Sequence, residues 1–475
     1  MEPVRFERAS PIDADAEALG AWHFREGAIV RLIPPWERIA IDQEASPLVD
    51  GARAVIRIRK GPLSVRLVAR HEAVDPPRAF TDVQESGPFG SWRHRHSFEP
   101  AESGAGSVLR DAIAFTPPLG FVGRALATRP LLREIERQFA FRHARTAADL
   151  RRHAEVAARF GGAPLRVGVT GASGMLGRQL CAFLSTGGHE VVRFVRGRAS
   201  AAGERPWNPT DPKDGLAPAL VEDLDAIVHF AGAGIADGRW NPERKRLILA
   251  SRVDGTGAVA QAVARAERKP VVVSASGVGY YGDRGDERLD EGSAMGSGFL
   301  PEVVAAWEAA LRPAEAAGAR CVRLRFGVVL SASGGALARM RTPFLLGAGG
   351  PVGSGRQGMS WISLDDALGV ILHAIRDPSL AGVVNAVAPG AVAQRVFART
   401  LGRVLGRPAF APLPSLAVAA LFGEMGRRLL LEGAFVRPRR LEEIGFRFEH
   451  PALEDALRLE LGRSAVALAP AGGVL

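Results

Sequence analysis

Cysteine, lysine and tyrosine are all scarce in this chain of 475 residues, and each shortage narrows the chemistry available to it. The only two cysteines, Cys181 and Cys321, sit in segments that read as a buried helix and a buried strand, so core packing is expected in place of a disulfide. The lysines number four (Lys60, Lys213, Lys245, Lys269) and the tyrosines two (Tyr280, Tyr281). Both tyrosines follow the last lysine, so no tyrosine can have a lysine a turn further along a helix. Apolar runs of membrane-spanning length are missing too, and the N-terminus carries acidic residues with no run shaped like a signal peptide. A cytoplasmic, reducing setting is the expectation. The formal charge of +10 comes almost entirely from arginines scattered over the whole chain without interleaved aromatics, so neither a nucleic-acid nor a membrane partner is expected. A hydrophobic content of 47% and this length fit two or three globular domains.

What the sequence does hold is a strand running into a glycine turn: Val167-Gly168-Val169-Thr170-Gly171-Ala172-Ser173-Gly174-Met175-Leu176-Gly177. Gly171 allows a tight turn, Gly174 lets the backbone approach a pyrophosphate, and Gly177 lets the following helix pack closely on the strand. Leu176, Leu180, Phe183 and Leu184 share one face of that helix, and Gly187-Gly188 ends it. Amides at the helix start then face phosphate charge. A turn serving packing alone is the competing reading.

The residues before this motif have a different texture. Ile56 to Arg59, Val65 to Val68 and Trp92 to Phe98 alternate as half-buried strands do, a strand at Val108 to Phe115 follows, and then a helix with Leu131, Leu132, Ile135 and Phe139 on one face. An antiparallel sheet closed by a helix is expected. With Gly87-Pro88-Phe89 before the tryptophan strand, this order resembles the START-like (SRPBCC) ligand-binding superfamily, which implies an α+β helix-grip domain over residues 1–150 with a cavity for an apolar ligand. His94 and His96 point to one side of their strand, as a metal pair would. With no third ligand nearby in sequence, cavity lining or sheet surface is preferred and no metal site is assigned. Residues 147–159 read as a polar connecting helix, and a linker is placed at 151–164, ending at Gly161-Gly162-Ala163-Pro164.

From Leu165 onward, apolar strands at Glu190 to Val195, Ala226 to Ala231, Val271 to Ser274 and Cys321 to Arg325 alternate with helical patterns. That alternation specifies an α/β, doubly wound parallel sheet, with its ligand at the C-terminal strand ends. The second strand runs into Arg196-Gly197-Arg198 with no carboxylate to read an adenosine ribose, which favours NADP over NAD. An exposed arginine in an arginine-rich chain would look the same. After the next strand, His229-Phe230-Ala231-Gly232 lets the backbone pass close to the cofactor.

These features resemble the extended, epimerase-like branch of the short-chain dehydrogenase/reductase superfamily. Arg239-Trp240-Asn241, Ser251-Arg252, Ser274-Ala275-Ser276, Gly279-Tyr280-Tyr281-Gly282, Trp307-Glu308 and Arg325-Phe326-Gly327 look like its atypical epimerase family, often labelled cell-division-inhibitor-like. Gly423-Glu424, Pro438 and Gly445-Phe446-Arg447-Phe448 resemble that family's C-terminal domain of unassigned function. The resemblance implies a Rossmann-type domain at 165–405 and a small helical domain at 406–475. It also implies a cofactor site of Gly171, Ala172, Ser173, Gly174, Met175, Leu176, Gly177, Arg196, Gly197, Ala231 and Gly232.

The superfamily's tyrosine and lysine are not available for proton transfer, since Phe299 and Val303 occupy the two positions. Ser276 matches the superfamily serine and can hydrogen-bond a substrate carbonyl. Tyr281, five residues on, is the expected proton donor, with packing of the Tyr280-Tyr281 pair over the nicotinamide as the alternative. Glu308 either hydrogen-bonds substrate or supports helix packing. Two functions remain open at this stage: an NADP-dependent oxidoreductase or epimerase acting on a small carbonyl or hydroxyl compound, and a regulatory protein that binds NADP(H) without turnover.

Overall fold

Alternation in the first third of the chain produces one antiparallel sheet of seven strands: β1 (Val4–Ile12), β2 (Arg38–Gln43), β3 (Arg53–Lys60), β4 (Leu63–Asp75), β5 (Ala79–Ser86), β6 (Ser91–Pro100) and β7 (Ser107–Thr116), in the order β1-β7-β6-β5-β4-β3-β2. The computed structural model describes residues 2–102, 104–118 and 120–464. Two compact units emerge: residues up to Glu155 with Ala182–Gly188 and the stretch from Arg458, and Val156–Cys181 with His189–Leu457.

In the first unit, helices α1 (Ala16–Phe24) and α2 (Ala28–Leu32) follow β1, and α3 (Gly120–Phe160) follows β7. Ile135 and Phe139 of α3 are buried against Ile113 and Phe115 of β7, with Leu131 and Leu132 half-buried beside them, so the expected helix face is the packed one. The expected closing helix and the expected polar connecting helix are a single element, because no break separates them before Gly161 at φ +91°. A second cluster holds Leu19 and Trp22 of α1 with Phe80, Phe98 and Leu109. Arg31 is fully buried and forms a two-pronged pair with Asp149, at 2.8 Å from Nε and 2.7 Å from the second nitrogen. His94 and His96 share the buried face of β6, and Asp82 of β5 stands opposite His94 in the register, supplying the third group that sequence spacing did not show.

In the second unit, β8 (Arg166–Thr170), α4 (Met175–Thr186), β9 (Glu190–Arg196), β10 (Glu204–Trp207), β11 (Ala226–His229), α5 (Pro242–Arg265), β12 (Val271–Gly277), β13 (Arg288–Leu289), α6 (Phe299–Ala309) and β14 (Cys321–Phe326) follow in order. The main sheet is parallel throughout, ordered β10-β9-β8-β11-β12-β14 with Gly382–Ala386 at its edge. Consecutive strands run outward from β8 in one direction and then restart at β11 on its other side. The crevice between the C-terminal ends of β8 and β11 is therefore the switch point at which such sheets bind ligands. Val192, Ile227, Val259, Val263, Val272 and Cys321 fill the core between sheet and helices. Burial pushes the Cys321 thiol up to about 12, so it stays a packed, unreactive thiol.

As far as Leu457, the expected C-terminal domain is sewn into this unit. Phe435–Val436 pairs with β13, Ser360 donates to the Ala434 carbonyl at 2.8 Å, and Asn385 Nδ2 donates to the Arg437 carbonyl at 3.0 Å. Helix Ser415–Gly426 brings Phe422 and Met425 against Trp240, Ile248 and Val303. Residues 465–475 of that expected domain lie outside the described residues. Among the described residues, no helix is long and apolar enough to cross a membrane.

Candidate functional site

The glycine turn at the end of β8 is shaped by three different demands. Gly171 takes φ +67°, and a Cβ on it would stand 3.0 Å from the Ala231 amide nitrogen, so the turn presses against the residues that follow β11. On Gly177 a Cβ would lie 2.2 Å from the Gly171 carbonyl oxygen, a distance no side chain tolerates. Gly174 is different. Its Cβ would meet only the Gly171 oxygen, at 3.3 Å, so the side facing away from the turn is open, and Ser173 and Gly174 are exposed. Helix α4 begins at Met175 and continues through Leu176, and the first amides of a helix have no carbonyl partner within it. The turn is thus a cradle that fits a pyrophosphate.

Thr170 fixes the approach of the two strand ends. Its hydroxyl oxygen accepts the amides of Phe230 and Ala231 at 3.2 and 3.3 Å and stands 2.8 Å from His229 Nδ1, to which it donates. Burial drives the His229 pKa down to about 4, so the imidazole is neutral and able to accept. Ala231 and Gly232 then pass the crevice, with the Ala233 amide held by Ser251 Oγ at 3.0 Å.

At the end of β9, Arg196 and Arg198 are exposed, and Gly197 between them takes φ +85°. Glu204, the first residue of β10, accepts from the Ser200 amide, the Ser200 hydroxyl and the Ala201 amide at 2.9, 3.1 and 3.1 Å. Its carboxylate is committed to the loop, which leaves the two arginines as the charged groups at this strand end. Sequence reasoning did not single out a further cation, Arg252 of α5. Its guanidinium lies 5.0 Å over the Trp307 ring and, among the described residues, donates to the carbonyls of Ala233 and Ile248, both at 3.0 Å. Burial lowers its pKa to about 10. A half-buried cation held by carbonyls, beside Gly232, is a ready partner for an anionic ligand. Its signal in the sequence was the Ser251-Arg252 pair.

Ser276, next to last in β12, stands opposite Arg325 of β14, and Arg325 in turn stands opposite Asn385 of the edge strand. This row of register partners gathers the candidate catalytic residues. Ser276 Oγ donates to Glu308 Oε1 at 2.6 Å, and Arg325 grips the same carboxylate with two nitrogens, each at 2.8 Å. Arg325 also donates to the Tyr281 hydroxyl at 3.1 Å and lies 3.4 Å from the centre of the Tyr280 ring. These partners hold the guanidinium well above its ordinary pKa despite burial.

Tyr281 does not reach the cleft in which it was expected. It is fully buried, its hydroxyl donates to Asn385 Oδ1 at 2.8 Å, and burial raises its pKa. The physical reason is the tight turn Val278–Tyr281, closed by Gly282 at φ +63°, which rotates the second tyrosine inward. Tyr281 positions Arg325. Phe299, where the superfamily tyrosine would stand, packs on Trp240 with ring centres 5.0 Å apart, and Val303 is buried. No proton carrier occupies either position. Glu308 fills the second of the roles weighed for it in sequence, since its carboxylate ties α6 to Ser276 of β12 and Arg325 of β14.

Comparison with known proteins agrees with this geometry. Residues 167–386 match the model of the NAD dependent epimerase/dehydratase family, and residues 413–459 match that of a domain of unknown function, DUF1731. Epimerase family protein Mb2239 of Mycobacterium bovis is 42% identical over 291 residues, 61% of this chain and 96% of its own length. Human epimerase family protein SDR39U1 is 38% identical over 299 residues, covering 62% and 99%. Among solved structures, a nucleoside-diphosphate sugar epimerase from Corynebacterium glutamicum superimposes with a TM-score of 0.80 at 32% identity, over 96% of this chain and 90% of its own. The human SDR39U1 structure with NADPH gives 0.57 at 37% identity, over 62% and 99%. The cradle, the strand order and these relatives together place the chain in the epimerase family, within the NAD(P)-dependent short-chain dehydrogenase/reductase fold.

Proposed function

We propose that this protein binds NADP(H) at the β8 turn and uses it in an oxidoreductase or epimerase-like reaction on a small carbonyl or hydroxyl compound in the cytoplasm. The observation that carries the reading is the open cradle at Gly174 combined with the uncommitted Arg196 and Arg198 at the end of β9. Gly171, Ala172, Ser173, Gly174, Met175, Leu176 and Gly177 would hold the pyrophosphate, Ala231 and Gly232 would line its flank, and Arg196 would take the ribose phosphate. The human relative bound to NADPH supports the same choice. The bound nicotinamide supplies or accepts hydride. Ser276 hydrogen-bonds the substrate oxygen, and when that oxygen gives up a proton to Ser276 Oγ, the serine proton passes along the 2.6 Å hydrogen bond to Glu308. Arg325 keeps the carboxylate in place. The first unit, with its antiparallel sheet and long helix, is assigned the START-like role of holding an apolar ligand.

A second reading, NADP(H) sensing without turnover, is favoured by one observation: the fully buried Tyr281 leaves Ser276 and Glu308 as the only polar pair of the network able to move a proton. Nicotinamide absorbance, followed with NADPH and a panel of aldehydes and ketones, separates the two. Turnover that falls about 100-fold or more in Ser276→Ala is expected for the enzyme. Tight NADPH binding with no turnover on any compound selects the sensor. Arg196→Ala is expected to weaken NADPH by roughly 10–100-fold, the cost of one charge-assisted contact, while leaving NADH unchanged in a fluorescence titration. Equal losses for both nucleotides would remove Arg196 from the ribose phosphate.

A further inference from the structure

The first unit carries a cluster of histidines and aspartates that the nucleotide chemistry does not use. Cross-strand pairing assembles it: His71 of β4 and His94 of β6 stand opposite Asp82 of β5, and His96 of β6 stands opposite Asp111 of β7. The ligand atoms of Asp82, His94 and His96 all lie within 4.8 Å of one another. All three residues face the same point.

Asp111 orients both imidazoles. Its Oδ1 accepts from His94 Nε2 at 2.8 Å and touches His96 Nδ1 at 2.7 Å, while its Oδ2 meets His143 Nε2 at 2.6 Å. Ser10 Oγ holds the other nitrogen of His143 at 2.8 Å. With their outer nitrogens turned to Asp111, His94 Nδ1 and His96 Nε2 face Asp82 Oδ2 at 3.9 and 3.4 Å. His96 Nε2 hydrogen-bonds Asp82 Oδ2 when that nitrogen carries a proton, and a metal ion can take the proton's place and draw in His94 Nδ1 as well. Ligand atoms at about 2.0–2.1 Å from a tetrahedral zinc ion are roughly 3.4 Å apart. A carboxylate behind the metal-binding histidines is the usual means of fixing their tautomer.

A second observation points the same way. His71 Nδ1, Asp82 Oδ1 and His96 Nδ1 are buried yet make no aligned hydrogen bond, although His71 Nδ1 and Asp82 Oδ1 are 2.6 Å apart. Each still has a close partner, His71 Nδ1 with Asp82 Oδ1 and His96 Nδ1 with Asp111 Oδ1 at 2.7 Å, in poor alignment for a hydrogen bond. The surroundings are otherwise closed: Arg142 faces both aspartates, and His23 lies with its ring 6.4 Å from that of His96. The Asp82 side chain keeps 23% of its exposure against 4% and 8% for the two histidines, so entry and an open coordination position lie on its side.

We propose that Asp82, His94 and His96 bind a divalent first-row transition-metal ion, zinc being the probe of choice, with Asp111, His71 and His143 as supporting groups and an open position for water or an oxygen ligand. The test uses the full chain, freed of any histidine tag and stripped with chelator, titrated with zinc against a chromophoric competitor. One ion per chain is expected, with stoichiometric uptake lost in Asp82→Ala and in His96→Ala, and affinity about 10–100-fold lower in Asp111→Asn. His94→Gln, close in size to histidine and checked for folding by circular dichroism, should abolish the visible d–d bands of the cobalt(II) form. A stripped wild-type chain that takes up no zinc, or uptake unchanged in these variants, overturns the site and leaves a proton as the cation in the cluster.

Discussion

Replacing Glu308 with alanine is expected to lower the stability of the nucleotide-binding unit by about 3–5 kcal/mol, the cost of leaving one member of a buried ion pair alone. Arg325 is 4% exposed at its side chain and spends two of its nitrogens on this carboxylate. Without Glu308 it keeps the Tyr281 hydroxyl and the face of Tyr280, neither of which carries a compensating charge. Ser276 loses its acceptor in the same step. The two units of this chain need not unfold together, so a single melting curve is a poor reading. Hydrogen exchange of the β12 and β14 amides measures the loss where it occurs. Glu308→Gln, which keeps an oxygen for Ser276, should cost less. An alanine variant with unchanged exchange would show that the pair contributes nothing to holding α6 on the sheet, and would take away the argument that Arg325 positions Glu308.

Gly177→Ala is expected to abolish most of the affinity for NADPH. The added methyl would lie 2.2 Å from the Gly171 oxygen and 2.9 Å from the Ala172 Cα, both backbone atoms of the cradle itself. Either the turn or the start of α4 must move, at about 1–3 kcal/mol of packing strain. Amides aimed at the pyrophosphate then miss it, and losing two charge-assisted hydrogen bonds weakens binding by roughly 100-fold or more. Gly174→Ala provides the contrast. Its methyl meets one atom, at 3.3 Å, so the fold should be retained while the methyl fills the space into which the phosphates come. A chain that keeps full NADPH affinity with alanine at 177 would show that the nucleotide binds elsewhere.

The cradle could be read from the sequence because each of its glycines answers a local demand, and local demands leave fixed spacings. The strands of the first unit were readable for the same reason, since half-buried strands alternate with period two. What the sequence hid is the work of register. Ser276, Glu308 and Arg325 meet only because β12 and β14 are neighbours, although 49 residues separate the serine from the arginine. Asp82 joins His94 through the pairing of β5 with β6, which is why the histidines looked like a pair without a third ligand. Tyr281 was misplaced because one short turn decides whether it faces cleft or core. The polar stretch of α3 looked like a separate connector, yet a helix continues through polar sequence wherever nothing stops it.

Titration of the full wild-type chain with NADPH and with NADH, alongside Gly177→Ala, bears most directly on the central claim that the β8 turn is an NADP(H) site. Saturable binding of one NADPH per chain, tighter than NADH and lost in the glycine variant, is the expected result. No binding of either nucleotide, or binding that survives with alanine at 177, contradicts it.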